Sequence, residues 1–288
     1  MKLYFDGPRL MDVAAANKAA YADASPFPHI ALDGLMPEEM LDLVLDEFPS
    51  LDSPIWTRYQ DYNEGKLESQ GEARLPEDLS LILYQFNSAP FLEFLEELTG
   101  ISGLIGDPYF TGGGLHQIPR DGRLGIHADF SRHYRLPLER RLNVLVYLNK
   151  DWKDEYGGHL ELWNRDMSAC VEKILPVFNR TVVFSTTDWT YHGHPDPLTC
   201  PEGWSRKSIA LYYFTVDRPK HETIPGKQTT LFLERPGEQF PPDAAGAGDL
   251  SLAAVKRRGR RIRAREIAQR WTPPAIYDAV DRARRGHR

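Results

Sequence analysis

The chain has 288 residues, 41% of them hydrophobic and 26% charged, which is ordinary for a soluble globular protein and enough for one large domain or two modest ones. The net charge of −6 is uneven: from Ser251 onward 12 basic residues stand against 3 acidic ones, so a tail of +9 follows a body of −15. No apolar run reaches the roughly 18 residues of a membrane span, aspartates near the start argue against a secretory signal, and the two cysteines, Cys170 and Cys200, form no C-x-x-C, so a cytoplasmic location is expected.

In chain order, PFPHIALDGLMP (26–37) reads as a short strand bounded by prolines. The segment PEEMLDLVLDEFP follows, with Met40, Leu41, Leu43, Val44 and Phe48 at helical spacing behind an acidic first turn. Residues 51–75 are polar and turn-rich, with Trp56 and Tyr59 among them. Residues 76–98 show helical periodicity, interrupted near Ser88-Ala89-Pro90. From about Pro108 the texture changes to short β-rich runs separated by turn residues: LGIHADF, RLNVLVYLN, GGHLELW, RTVVFST and RKSIALYYFT. Such strands, without long helices between them, predict an antiparallel sandwich or barrel. The expected organisation is a supporting region over 1–107, a β core over 108–240, a linker over 241–250 (opening with PPDAAGAG) and a basic helical tail over 251–288.

Within GIHADF, alternation puts His127 and Asp129 on one strand face. An imidazole beside a carboxylate is half of a site for a borderline divalent metal. His192 and His194, in TTDWTYHGHPDP, are both candidates for a third ligand. Two histidines and one carboxylate form the facial triad of non-haem iron oxygenases, with positions left open for substrate and oxygen. On RKSIALYYF, Arg206 shares a face with Ser208 and Ala210; on RLNVLVYLN, Arg141, Asn143 and Tyr147 lie opposite Val144, Val146 and Leu148. An arginine on an inward face requires an anion.

With His127, Asp129, His192 and Arg206 laid out, the stretch from about Pro108 to Thr215 resembles the Fe(II)/2-oxoglutarate-dependent dioxygenases, most closely their prolyl-4-hydroxylase-like branch. The run VYLNKDWKDEYGGHLELW (146–163) is similar to the matching run in the hypoxia-sensing prolyl hydroxylases. The resemblance implies a mainly β fold with flanking helices: a double-stranded β-helix, jelly-roll or cupin-like, with the N-terminal helices packed outside. It implies His127, Asp129 and His192 as ligands of Fe(II), with His192 favoured over His194 by the order Tyr-His-Gly-x-Pro. It further implies Arg206, Tyr147 and Ser208 as contacts of 2-oxoglutarate, with O2 as oxidant and ascorbate as a further cofactor. The implied reaction is hydroxylation of an aliphatic C–H in a prolyl or peptidyl residue, a free amino acid or a small metabolite, with succinate and CO2 as co-products. The alternatives are desaturation, cyclisation or demethylation on the same core, or a non-catalytic metal- or ligand-binding protein.

Two departures stand out. Relatives often carry a tyrosine about ten residues before H-x-D, where this chain reads Gln117-Ile118; and GHPDPLTCPEGWS lengthens the interval from His192 to Arg206, making that loop a candidate border of the substrate entrance. Loops 51–75 and 131–139 are the expected determinants of substrate. His159-Leu160-Glu161 is a second H-x-E, read as a decoy, and Gly112-Gly113-Gly114 is read as a turn because no Gly-Lys-Ser/Thr follows. The tail is read as a solvated helix, with docking to an anionic partner or packing back onto the acidic body as the alternatives; an acidic body without a recognised motif argues against nucleic acid.

Overall fold

The structure is a computed structural model that describes residues 2–69, 75–225, 227 and 229–241. The basic tail, and all of the expected linker except Pro241, lie outside the described residues.

The chain opens with a helix, α1 (Gly7–Ala22), whose N-cap Asp6 accepts from the Arg9 backbone N–H and which has a proline in its first turn. Its alanine-rich sequence gives little amphipathic pattern, and the sequence reading contains no helix there. Strand β1 (His29–Asp33) and helix α2 (Glu38–Asp46) fall where expected. Residues 51–75 contain more order than their polar composition suggests: β2 (Trp56–Gln60) and β3 (Gly65–Ser69) form an antiparallel hairpin. The break near Pro90 separates α3 (Glu77–Gln85) from α4 (Ala89–Thr99), and Gly100, at φ 70°, stops α4.

The β core follows as β4 (Ile105–Gly106), β5 (Gly114–Pro119), β6 (Leu124–Ala128), β7 (Glu139–Tyr147), β8 (Leu160–Trp163), β9 (Cys170–Ile174), β10 (Arg180–Ser185), β11 (Tyr191–His194), β12 (Ser205–Thr215) and β13 (Leu231–Phe232). One sheet has the order β1-β10-β7-β12-β5-β3-β2, with β4 on β12; the other has the order β13-β6-β11-β8-β9. Every pairing between these strands is antiparallel. The two sheets face each other as a double-stranded β-helix.

Alternation on β7 and β12 divides the molecule. Val144, Val146, Ile209, Leu211 and Tyr213 face the helices and join a large apolar core with Leu10, Met40, Phe86, Phe91, Phe94 and Leu98. Burying each such side chain contributes roughly 1.5–3 kcal/mol. The Tyr213 hydroxyl donates to the Phe86 carbonyl at 2.9 Å, so its one polar atom is satisfied. The opposite faces of these strands turn to the second sheet. Helices on one side therefore hold the larger sheet rigid while its other side carries the polar residues.

The alternation slips once. Tyr213 pairs with Leu142, yet Phe214 pairs with Arg140, so Arg141 is the extra residue of a bulge. The reading that set Arg141 on the face of Asn143 is corrected by this slip. Arg140 takes that place, and Arg141 reaches Thr215 and Glu222 instead.

Cys170 and Cys200 are free thiols. No helix among the described residues is long and apolar enough to cross a membrane.

Candidate active site

His127 on β6 and His192 on β11 are direct cross-strand partners, with ring centroids 4.4 Å apart. Asp129 follows β6 immediately. Its Oδ1 lies 3.7 Å from His127 Nε2 and its Oδ2 lies 3.4 Å from His192 Nε2. One ligand atom from each of the three fits within 4.8 Å of the others. His194 is not part of this group.

The tautomers follow from the backbone. His127 Nδ1 lies 2.9 Å from the Gly125 carbonyl and His192 Nδ1 lies 3.3 Å from the Thr190 carbonyl. Each Nδ1 therefore carries the proton and each Nε2 offers a lone pair toward Asp129, the arrangement typical of metal-binding histidines. Burial holds the His192 pKa down at about 3, so the ring is neutral and ready to ligate. Gly193, between the two histidines, is required by close packing: a Cβ there would stand 2.6 Å from the Gly125 carbonyl oxygen.

Asp129 is ionised. Burial works against its charge, but the Arg140 guanidinium holds its carboxyl well below the usual carboxylate range. Arg140 Nη2 lies 3.2 Å from Asp129 Oδ2, and Asn143 Nδ2 donates to the same oxygen at 2.8 Å. Arg140 also donates to Asn143 Oδ1, at 3.0 and 2.5 Å, and its guanidinium lies against the rings of Phe130 and Tyr212, at 4.4 and 3.5 Å from their centroids. On its other side the Asp129 loop is pinned by Lys227, which donates to the Asp129 carbonyl, to Ser131 Oγ at 3.1 Å and to Asp188 Oδ1 at 3.3 Å.

His127, Asp129 and His192, with Asn143, Phe130 and Tyr212, line a cavity of about 270 Å³ between the two sheets, while Arg140 and Lys227 stand behind its wall. Arg206 and Ser208 of β12 line it too. Arg206 is 4% exposed. It donates from Nε to the Gly158 carbonyl at 2.8 Å and from Nη2 to the Tyr147 hydroxyl at 3.1 Å. Gly158 has φ 74°, and a Cβ there would meet Arg206 Cδ at 2.9 Å, so glycine is what lets the guanidinium lie against this turn. Among the described residues no carboxylate pairs with Arg206. The cavity therefore holds a buried cation with no anion, the feature a dicarboxylate would complete. Tyr147 is fully buried beside it, and its hydroxyl, having accepted from Arg206, keeps its own proton to donate.

The remaining walls are less legible in the sequence. His116 of β5, paired in register with both Ser208 and Glu68, lines the cavity with Ile118 where relatives have their tyrosine; its Nε2 lies 3.1 Å from the Gly112 carbonyl, and burial keeps its pKa at about 3. Gln117 points away and donates to Ser205 at 2.7 Å. The hairpin contributes Tyr59, Glu64, Lys66 and Glu68, with Lys66 Nζ between Glu64 at 3.2 Å and Glu68 at 3.5 Å. Of the two segments expected to set substrate choice, 51–75 thus reaches the cavity, whereas none of residues 131–139 lines it. Residues 195–204 do not line it either: Leu198 and Cys200 pack on Ile118 and Trp152, and the Leu198 N–H donates to the Gly122 carbonyl. His159 and Glu161 lie apart: His159 meets Asp154 at 3.0 Å, while Glu161 accepts from Trp163 and pairs with Lys173.

The residues present fit an Fe(II) ion. Two imidazoles and one ionised carboxylate, with a ligand atom of each within 4.8 Å of the others, stand together in the cavity wall.

Residues 113–214 match the family model described as the 2OG-Fe(II) oxygenase superfamily. Among solved structures, a prolyl hydroxylase from Trichoplax adhaerens, in complex with a hypoxia inducible factor oxygen degradation domain peptide fragment, is 19% identical with a TM-score of 0.51, over 72% of this chain and 91% of that one. A Pseudomonas putida prolyl-4-hydroxylase is 16% identical with a TM-score of 0.46, over 70% and 98% of the two chains. HygX from Streptomyces hygroscopicus, with nickel and 2-oxoglutarate bound, is 12% identical with a TM-score of 0.45, over 69% and 86%. No curated protein matches the sequence.

Proposed function

We propose that this chain, whose residues 113–214 match the 2OG-Fe(II) oxygenase superfamily, is a 2-oxoglutarate-dependent non-haem iron dioxygenase and that its reaction is hydroxylation of an aliphatic C–H bond. In this reading His127, Asp129 and His192 hold Fe(II), while Arg206, Tyr147 and Ser208 hold the distal carboxylate of 2-oxoglutarate. The observation that carries it is the presence, in one buried cavity, of the two-histidine–carboxylate trio and of an arginine without an anion.

The iron, when bound, supplies oxygen activation coupled to decarboxylation of 2-oxoglutarate, with succinate and CO2 as co-products. The chain's own residues do the rest. Gly125 and Thr190 carbonyls fix the two imidazoles in the ligating tautomer. Arg140 and Asn143 keep the Asp129 carboxylate ionised and oriented. Arg206 and Tyr147 present donors to a carboxylate, a charge-assisted arrangement suited to a dicarboxylic cosubstrate. Presence of Asp129 as a carboxylate ligand favours hydroxylation over halogenation, because relatives that halogenate lack it. The substrate enters along the wall made by Tyr59, Glu64, Lys66, Glu68 and Tyr212. A prolyl residue in a peptide, as in the Trichoplax complex, an amino acid and a small metabolite all suit that wall.

The test is an anaerobic visible spectrum of the Fe(II) protein before and after addition of 2-oxoglutarate. A new metal-to-ligand charge-transfer band is expected, absent in His127→Ala and Asp129→Ala. Iron binding without a band would overturn the cosubstrate assignment; retained tight iron binding in both variants would overturn the trio. Mass spectrometry of turned-over substrate candidates, with one oxygen gained, distinguishes hydroxylation from desaturation.

A further inference from the structure

His194 is anomalous among the buried histidines. His29, His127, His133 and His192 each have a ring nitrogen in a hydrogen bond, as does the partly buried His116. His194 is 3% exposed, and neither of its ring nitrogens has a partner. A buried polar group in that condition is completed by whatever fills the space beside it. That space is the cavity, which His194 lines.

Its position says what it meets. His194 ends β11, two residues beyond His192, so both rings come off the same strand face. His194, Arg206 and the three residues of the trio line the same cavity. A ligand that spans this cavity from a metal at the trio to Arg206 meets the wall that His194 helps to form. An imidazole ring presents at least one N–H donor. The carboxylates of such a ligand are acceptors only, so the N–H is what they would engage.

We infer that His194 is a direct contact of the cosubstrate, its ring N–H donating to a carboxylate oxygen of bound 2-oxoglutarate. This rests on the reading of the cavity as an iron and 2-oxoglutarate site. It gives His194 a binding role distinct from metal ligation.

Calorimetric titration of 2-oxoglutarate into the full-length Zn(II)-loaded protein, which does not turn over, tests it. His194→Phe keeps the ring's bulk and loses the donor; 2-oxoglutarate affinity should fall about 10- to 100-fold, the worth of one hydrogen bond to a charged group. Zn(II) affinity should stay within about threefold, because an outer contact of the ligand is lost and no metal ligand is. His194→Gln, which retains an N–H donor, should recover most of the loss. Unchanged 2-oxoglutarate affinity in His194→Phe, with wild type binding normally, overturns the assignment of His194 alone. Failure of the Zn(II)-loaded wild type to bind 2-oxoglutarate overturns the cosubstrate reading itself. Nitrogen-15 histidine NMR of wild type needs no variant: a His194 ring N–H signal that shifts and is protected from exchange on adding 2-oxoglutarate supports the contact, and an unmoved signal overturns it.

Discussion

Two arginines are buried beside the candidate site under opposite conditions. Arg140 has an anionic partner: it pairs with Asp129 and donates to Asn143, and the rings of Phe130 and Tyr212 lie against its guanidinium, with Nη1 alone of its nitrogens buried without a partner among the described residues. Arg206 has a carbonyl and a phenol hydroxyl, both neutral, and no anion among the described residues. A buried charge paired within the protein belongs to the architecture. A buried charge left unpaired is costly in the free protein, and the cost is recovered when an anion binds. The contrast assigns the two residues to different tasks: Arg140 keeps a metal ligand in place, and Arg206 waits for a cosubstrate.

The comparison breaks most visibly at Arg140. Arg140→Met leaves the Asp129 carboxylate buried without its main counter-charge, and loss of one partner of a buried pair costs about 3–5 kcal/mol. Urea denaturation of the metal-free protein should show this deficit. Adding Zn(II) should shrink it, because the bound cation replaces the missing charge and binds the folded state alone. A deficit unchanged by metal would mean that Arg140 serves packing against its two aromatic rings and not Asp129.

Arg206→Met should show the reverse pattern. Removing an unpaired cation while keeping its volume should leave metal-free stability within about 1 kcal/mol, since the desolvation penalty goes with the charge. Cosubstrate affinity should fall by about 30- to 100-fold, the scale of a lost buried charge-assisted contact. Calorimetry with the Zn(II)-loaded protein reads the affinity and denaturation reads the stability. A variant that loses stability as Arg140→Met does would erase the distinction between the two sites.

This pair also shows what the sequence could express. Arg206 and Ser208 share a face by strict alternation, as do His127 and Asp129, and period two is a local property that a reader of the chain can count. The paired placement of His127 and His192 follows from two strands meeting, yet each lies in a short apolar run that marks its strand. Arg140 was hidden because one extra residue, Arg141, shifts the alternation, and nothing in ERRLNVLVY signals where a bulge falls. The hairpin over 56–69 was hidden for another reason. Its strands carry charged residues toward a polar cavity, so they lack the apolar face by which strands are recognised. Helix α1 lacks a clear stripe as well, burying only Leu10, Ala14 and Tyr21.

Acid should act on the Arg206 side of the cavity through its histidines. His116 and His192 titrate near 3 in the folded protein, chiefly because burial opposes their protonation. Unfolded, both accept protons near pH 6.5. Between those values the unfolded state binds more protons, so stability is fully present above about 6.5 and is lost as the pH falls toward 3. Each group contributes a slope of up to about 1.4 kcal/mol per pH unit. Metal-free denaturation at pH 7, 6 and 5 should follow this decline, and His116→Gln should make it shallower by one such slope. Arg206 is one of the charges that oppose protonation of His116, so Arg206→Met should raise that histidine's pKa and narrow the window from below. Identical pH profiles for wild type and His116→Gln would remove His116 from the titrating set.

The smallest effect is expected at His159, and it bears on why His127 and Asp129 form a site at all. His159 and Glu161 repeat the spacing of His127 and Asp129, one residue between an imidazole and a carboxylate. Spacing sets only that two side chains can share a face. At Glu161 the carboxylate is already taken by the Trp163 indole and Lys173, and His159 precedes β8 and reaches out to the exposed Asp154. Among the described residues no third ligand joins them in a metal-binding group, and no arginine pairs with the carboxylate as Arg140 pairs with Asp129. His159→Ala should therefore leave metal affinity unchanged and shift stability by less than about 0.5 kcal/mol, the scale of an exposed ion pair. Metal titration beside denaturation checks both. A measurable loss of metal affinity would place a second ion at this strand, and would show that the pairing with Arg140 is not what separates a ligand carboxylate from an ordinary one.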